Sequence, residues 1–253
     1  MIRSPIRRVL SSIQGKDVRA LLMGGQACVL YGAAEFSRDT DLAILASPAN
    51  LARLRAALDD LRAHVIAVPP FEASYLRRGH AVHFRCEHPE AEGMRVDVMT
   101  RMRGVAPFAG LWARRSTFVL PDGTRCDVMS VSDLVQAKKT QRDKDWPMIR
   151  RLVEAHYFEH REQSTAAQVR FWLRELRTPE LLVEVARRWP AARAAQRRHR
   201  PLLASVRPGN EARVAEALVR EEWAERREDA IYWRPLKAEL ERLRHERGGG
   251  ESR

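Results

Sequence analysis

The stretch from Leu21 to Leu45, LLMGGQACVLYGAAEFSRDTDLAIL, restricts the possible folds of this chain more than any other. Leu21 to Met23 are apolar, Gly24-Gly25 interrupts them, and Gln26 to Tyr31 is helix-compatible up to Gly32. This order predicts a buried strand, a tight turn, a short helix and a second strand. Asp39 and Asp41 stand two apart, so on a strand both carboxylates point to one side while Thr40 and Leu42 point to the other. Two successive glycines let backbone approach a ligand closely, and the N–H groups at a helix start attract phosphate. Paired carboxylates beside such a turn predict a magnesium site.

A third acid suits the same chemistry. His80 to Arg85 alternates around Val82 and Phe84, the polar run EHPEAEG follows, and Met94 to Met99 returns, which predicts a hairpin. Asp97 lies in the returning run between Val96 and Val98, where an acid is costly to bury without a cation. A second hairpin is expected over 118–131 and carries a similar string, so Asp127 competes with Asp97. Asp97 is preferred, because Asp127 directly follows the Pro121-Asp122-Gly123 turn and is expected on a peripheral strand.

These residues together resemble the nucleotidyltransferase superfamily with the polymerase-beta-like core. Ala27, Tyr31-Gly32, Ser37-Arg38 and Asp39-Thr40-Asp41-Leu42 are most similar to bacterial proteins of the AbiEii type, which include toxins. Thr40 departs from the pattern, since that family usually carries an apolar residue between the acids. The resemblance implies an α+β fold, a mixed sheet flanked by helices and followed by a helical bundle. It implies a metal-dependent transferase of the EC 2.7.7 type, which moves a nucleoside monophosphate from ATP or another NTP to a hydroxyl. Asp39, Asp41 and Asp97 would hold two Mg2+ ions, with Gly24, Gly25 and Ser37 on the phosphates. Downstream, Lys138 or Lys139 followed by Asp145 is similar to the family's Lys-then-Asp helix motif. The lysine would approach the nucleotide phosphates and the aspartate would hold the lysine-bearing helix or the metal shell. The acceptor implied is RNA, tRNA above all, with a separate antitoxin as a possible partner. The alternatives are transfer to a small hydroxyl compound, such as an aminoglycoside or lincosamide, and a non-catalytic binding protein on the same fold.

Organisation follows from punctuation and charge. Residues 1–131 read as the catalytic core, 132–247 as a helical region, and the tail 248–253, GGGESR, as disordered. Ser47-Pro48 opens a helix over 49–62, Val65 to Val68 forms a short strand, and Ser132-Asp133 caps one long helix that Pro147 breaks or kinks. Further helices are broken at Thr178-Pro179, Trp189-Pro190, Arg200-Pro201 and Pro208-Gly209. The net charge of +12 favours polyanionic partners, and Arg187, Arg188, Arg193, Arg197, Arg198 and Arg200 beside Trp189 form a candidate RNA grip. A GC-rich coding bias explains the arginines equally well.

Other chemistries fit less well. No run reaches the roughly 18 apolar residues of a membrane span, the N-terminus lacks a signal-peptide core, and Cys28, Cys86 and Cys126 show no paired spacing. A cytoplasmic protein is expected. His80, His83, Cys86 and His88 are dense, yet His80 and His83 face opposite sides of a strand, against a tetrahedral zinc site. Neither GxxxxGK[ST] nor Gly-x-Ser-x-Gly occurs.

Overall fold

The alternation of apolar residues in the first half of the chain resolves into one mixed sheet. The computed structural model describes residues 4–250, with side chains to 247; residues 1–3 and 251–253, and with them half of the expected disordered tail, lie outside the described residues. Among these residues there are seven strands and eleven α-helices, an α+β architecture. The strands are β1 (Ala20–Met23), β2 (Asp39–Ile44), β3 (His64–Val65), β4 (Val82–Arg85), β5 (Arg95–Met99), β6 (Ser116–Val119) and β7 (Arg125–Val128). They lie in the order β3-β4-β5-β2-β1-β7-β6. β2 runs antiparallel to β1 and parallel to β5, so it sits at the centre of the sheet.

Two compact units divide the chain. Of the described residues, the first contains 4–30, 34–137 and 231–250; the second contains 31–33 and 138–230. The division falls inside a helix, and the end of the last helix belongs with the sheet.

In the first unit, α1 (Ser4–Gly15) and α3 (Pro48–Asp60) cover one face of the sheet. Ile6, Val9, Leu10 and Ile13 of α1 and Leu51, Leu54 and Leu58 of α3 are buried there, the helical spacing at which they occur in sequence. Ser47 caps α3 through the Asn50 amide, and the Asn50 side chain in turn binds the Arg19 amide at 2.7 Å and the Leu45 carbonyl at 2.9 Å. One buried amide thus ties the start of β1 to the end of β2. Between those strands lies α2 (Gly24–Leu30); α4 (Ala73–Arg78) precedes β4 and α5 (Phe108–Arg114) precedes β6.

Several expectations need correction. The strand expected over 65–68 is confined to His64–Val65, with one further bond from the Ile66 amide to the His83 carbonyl before the prolines turn the chain away. β7 is not peripheral: it lies between β1 and β6. The single helix expected after Ser132 is two, α6 (Val131–Lys138) and α7 (Asp145–His160). Its cap is Ser130, whose hydroxyl meets the Asp133 amide at 3.3 Å. Pro147 causes no kink, because it falls in the first turn of α7, where an amide N–H has no helical partner.

The second unit is helical, as its punctuation predicts: α7 is followed by α8 (Ala166–Glu175), α9 (Pro179–Arg188), α10 (Pro190–Gln196) and the first part of α11 (Glu211–Gly250). Thr165 and Gln168 form a capping box at the start of α8. The core is aromatic: Trp172 and Tyr157 are fully buried edge to face, with Trp172 Nε1 donating to His156 Nδ1 and the Tyr157 hydroxyl to Glu184.

Candidate active site

Strand register decides which acids meet. β2 and β5 are aligned so that Asp41 lies opposite Asp97 and Asp39 opposite Arg95. Residues opposite one another on neighbouring strands project from the same face, with strands about 4.8 Å apart. β4 adds His83 opposite Asp97. One face of the sheet centre therefore carries Asp39, Asp41, Arg95, Asp97 and His83, each partly exposed. The opposite face carries Thr40, Leu42, Val96, Val98, Val82 and Phe84, all buried. Of the two rival acids, Asp97 is the one on the strand next to β2; Asp127 is separated from β2 by β1, and its carboxylate is bound by Thr117 and Arg115.

The Asp97 carboxylate is held from one side. Arg95 Nε donates to its Oδ1 at 2.8 Å, and His83 Nδ1 lies 2.8 Å from the same oxygen and 3.0 Å from Arg95 Nη2. Oδ2 makes no described bond. Burial alone would push this carboxyl up, but the hydrogen bonds and charges of His83 and Arg95 outweigh it and hold it below its ordinary range. Arg95 and His83 escape a search for acids; the available signal is their place in the alternation, Arg95 two before Asp97 and His83 on the facing strand.

The glycine turn approaches the site in an unexpected way. Gly24 has a left-handed φ of +66°, and a Cβ there would stand 1.8 Å from Asp41 Oδ2. A Cβ on Gly25 would meet Ser37 Oγ at 2.5 Å. The close approach that glycine permits is therefore to Asp41 and Ser37 of the protein itself. Gln26, buried on α2, donates to the Ser37 carbonyl at 2.8 Å and fixes the loop leading into β2.

The downstream residues form their own buried cluster in the second unit. Lys138 Nζ donates to Asp145 Oδ1 at 2.9 Å, while Thr140 and Arg142 donate to Oδ2 at 2.6 and 2.8 Å. Burial would raise the Asp145 carboxyl, and the charge of Lys138 with these bonds instead brings it below its usual value. Lys139 is equally buried and is bound to Glu175 at 2.9 Å. Both lysines spend their charge on carboxylates of this unit.

The arginine cluster divides. Arg200 is buried, binding Glu221 and the carbonyls of Leu173 and Leu176, and Arg193 binds the Leu203 carbonyl at 2.9 Å. Only Arg187, Arg188, Arg197 and Arg198 are exposed. Trp189 is engaged by Arg188 and Trp172.

Magnesium or a like cation is tested by the donor set. Among the described residues no three acid, histidine or cysteine side chains close around a common point, and Asp97 Oδ1 is committed to Arg95 and His83. The chemistry nevertheless fits a hard cation, since the three acids offer carboxylate oxygens from one face of adjacent strands, and Gly24 leaves the space that Asp41 occupies. The histidines of the sequence cluster have separate duties: His80 pairs with Glu239 at 2.7 Å, and His88 accepts from the Glu90 amide. Cys86 is buried, which pushes its thiol up to about 11. No protein-family model matches the chain, and no curated protein is significantly similar to it.

Proposed function

We propose that this protein is a metal-dependent nucleotidyltransferase on a polymerase-beta-like core, transferring a nucleoside monophosphate from an NTP to a hydroxyl of RNA. The observation that carries this is the register of β2 on β5, which sets Asp41 directly beside Asp97 with Asp39 on the same face. Asp39, Asp41 and Asp97 would hold the cation. When bound, it would neutralise charge on the triphosphate and on the departing pyrophosphate.

The chain's own residues divide the remaining work. Arg95 and His83 fix Asp97 Oδ1, which leaves Oδ2 to face ligands. The low basicity of this carboxyl suits it to holding a cation more than to taking a proton from the acceptor hydroxyl. Gly24 lets α2 pack on Asp41 and so fixes that carboxylate from the other side. RNA as acceptor is supported by the net charge of +12 and by the exposed Arg187, Arg188, Arg197 and Arg198.

The test incubates the protein with magnesium and each labelled NTP, in parallel with total tRNA and with small hydroxyl compounds. Label on RNA that disappears in Asp39→Ala and Asp41→Ala, both still folded by circular dichroism, supports the proposal. Label on small hydroxyls alone moves the acceptor. Transfer at full rate in both variants, or none in any mixture, overturns the assignment.

A further inference from the structure

Within the second unit an open cleft of about 680 Å³ runs between α7 and α11. Pro147, Arg150 and Arg151 of α7 and Val219 of α11 line it, and Arg177 reaches it from the segment between α8 and α9. Arg177 is the unusual member. Its side chain is 8% exposed, and its guanidinium lies 4.8 Å from the Trp146 ring centroid. Its one hydrogen bond among the described residues is a long contact from Nη1 to the Leu218 carbonyl at 3.4 Å. Nε is buried with no acceptor. Guanidinium has five N–H groups, and burying them without acceptors is costly.

The neighbouring carboxylates are taken. Glu221 is 3.7 Å from Arg177 but 2.9 Å from Arg200, which is itself buried. Glu175 belongs to Lys139. On the cleft lining, Glu154 pairs with Arg150, and Glu222 and Asp143 pair with Arg226. Arg151 is exposed and no carboxylate pairs with it among the described residues, while Arg177 has only the long contact to Glu221, which it shares with Arg200.

We propose that this cleft binds an organic phosphate, with the Arg177 guanidinium and Arg151 receiving the phosphate oxygens. Arginine's planar fork matches phosphate geometry. A bare ion would leave most of the volume empty, whereas a cleft of this size is in the range of small-molecule sites. Pro147, Pro179 and Val219 supply an apolar seat for the organic part. The phosphate could come from a free nucleotide or from the 5′ end of an RNA. The cleft does not involve Asp39, Asp41 or Asp97, so it stands whether or not these acids transfer nucleotides.

Calorimetric titration of the full chain without added metal tests this, with AMP, a short 5′-phosphorylated oligoribonucleotide, adenosine and inorganic phosphate in separate arms. AMP or the oligonucleotide should bind with a Kd below about 1 mM and adenosine should not. Arg151→Ala and Arg177→Lys should each weaken that binding about tenfold or more, as loss of a charge-assisted bond implies. Tighter binding of AMP assigns the site to a free nucleotide; tighter binding of the oligonucleotide assigns it to an RNA end. If Arg177→Lys misfolds, Arg151→Ala decides alone, because that side chain is exposed. The proposal is overturned if no phosphate probe binds, if adenosine binds as well as AMP, or if both arginine variants keep wild-type affinity. It is overturned equally if binding is lost in the double variant Asp39→Asn, Asp41→Asn, which would place the phosphate on the acids.

Discussion

Replacing Gly24 with alanine probes the candidate site through a single methyl group. Two costs add. Placing an alanine at φ +66° costs about 1–2 kcal/mol for the left-handed backbone. The new Cβ would also stand 1.8 Å from Asp41 Oδ2, 2.5 Å from its Cγ and 2.8 Å from its Cβ. Rotating Asp41 about χ1 relieves the first two contacts but cannot move its Cβ. The start of α2 must therefore shift against β2, and the carboxylate must turn away. The total should be about 2–3 kcal/mol, lowering Tm by about 5–10 °C in a chain of this size. If the proposed function holds, displacing the Asp41 carboxylate by about 1 Å should reduce nucleotide transfer on the order of a hundredfold. Gly25→Ala is the internal comparison, since its Cβ would meet Ser37 Oγ at 2.5 Å and Cβ at 2.8 Å rather than Asp41, and its φ is ordinary. It should lose less on both counts. Differential scanning fluorimetry and the labelled-NTP assay read the two effects. Wild-type Tm and kcat/KM in Gly24→Ala would refute the packing argument; a lower Tm with unchanged kcat/KM would detach that packing from catalysis.

Arg95→Met should lower kcat by about tenfold or more with little change in KM for the nucleotide, because partners of metal-binding carboxylates act at that scale; an unchanged kcat would remove Arg95 from the site. Asp145→Asn should cost about 3–5 kcal/mol at neutral pH, since it leaves Lys138 buried without its carboxylate. The folded Asp145 carboxyl lies below its ordinary 3.8, so its stabilisation is complete above pH 3.8 and is lost as pH falls through the lower folded value. Denaturant titrations across pH 2–7 should show wild type and variant converging on the acid side, and parallel curves would contradict this. Thr40 is fully buried, and its hydroxyl has no partner among the described residues. Thr40→Val should therefore stabilise by about 1 kcal/mol, leave transfer unchanged from the opposite face, and raise the denaturation midpoint; a destabilised variant would show that the hydroxyl is satisfied in solution.

What the sequence shows and hides follows from the range of the forces involved. Alternation over 80–99 and the Asp39-x-Asp41 spacing depend on the two-residue strand period, so the hairpin and the shared face of the acids could be read directly. The proline and glycine breaks in the second unit act within a few residues, and each falls between observed elements. The place of the break, after Lys138 rather than at Pro147, was hidden because nothing local demands it. α6 stops where the chain turns to bring Lys138, Thr140 and Arg142 around the Asp145 carboxylate, a cluster whose members are unremarkable polar and charged residues in the sequence. The arginines of 187–200 look alike as letters and separate only once Glu221 and the carbonyls of α8 and its C-terminus claim Arg200.

The Gly24-Gly25 pair shows the same limit from the other side. Local chemistry identifies it as a turn and suggests a ligand as the reason for missing side chains. The structure supplies a non-local reason: a strand residue seventeen positions later, Asp41, occupies the space that a Cβ on Gly24 would need. A glycine held in place by a carboxylate on the central strand links the turn to the acids more tightly than either motif does alone. The two features that looked like separate parts of a phosphate-and-metal site are one packed unit. Loss of either should therefore disturb the other, and the non-additivity of Gly24→Ala with Asp41→Asn in a double-mutant cycle measures that coupling.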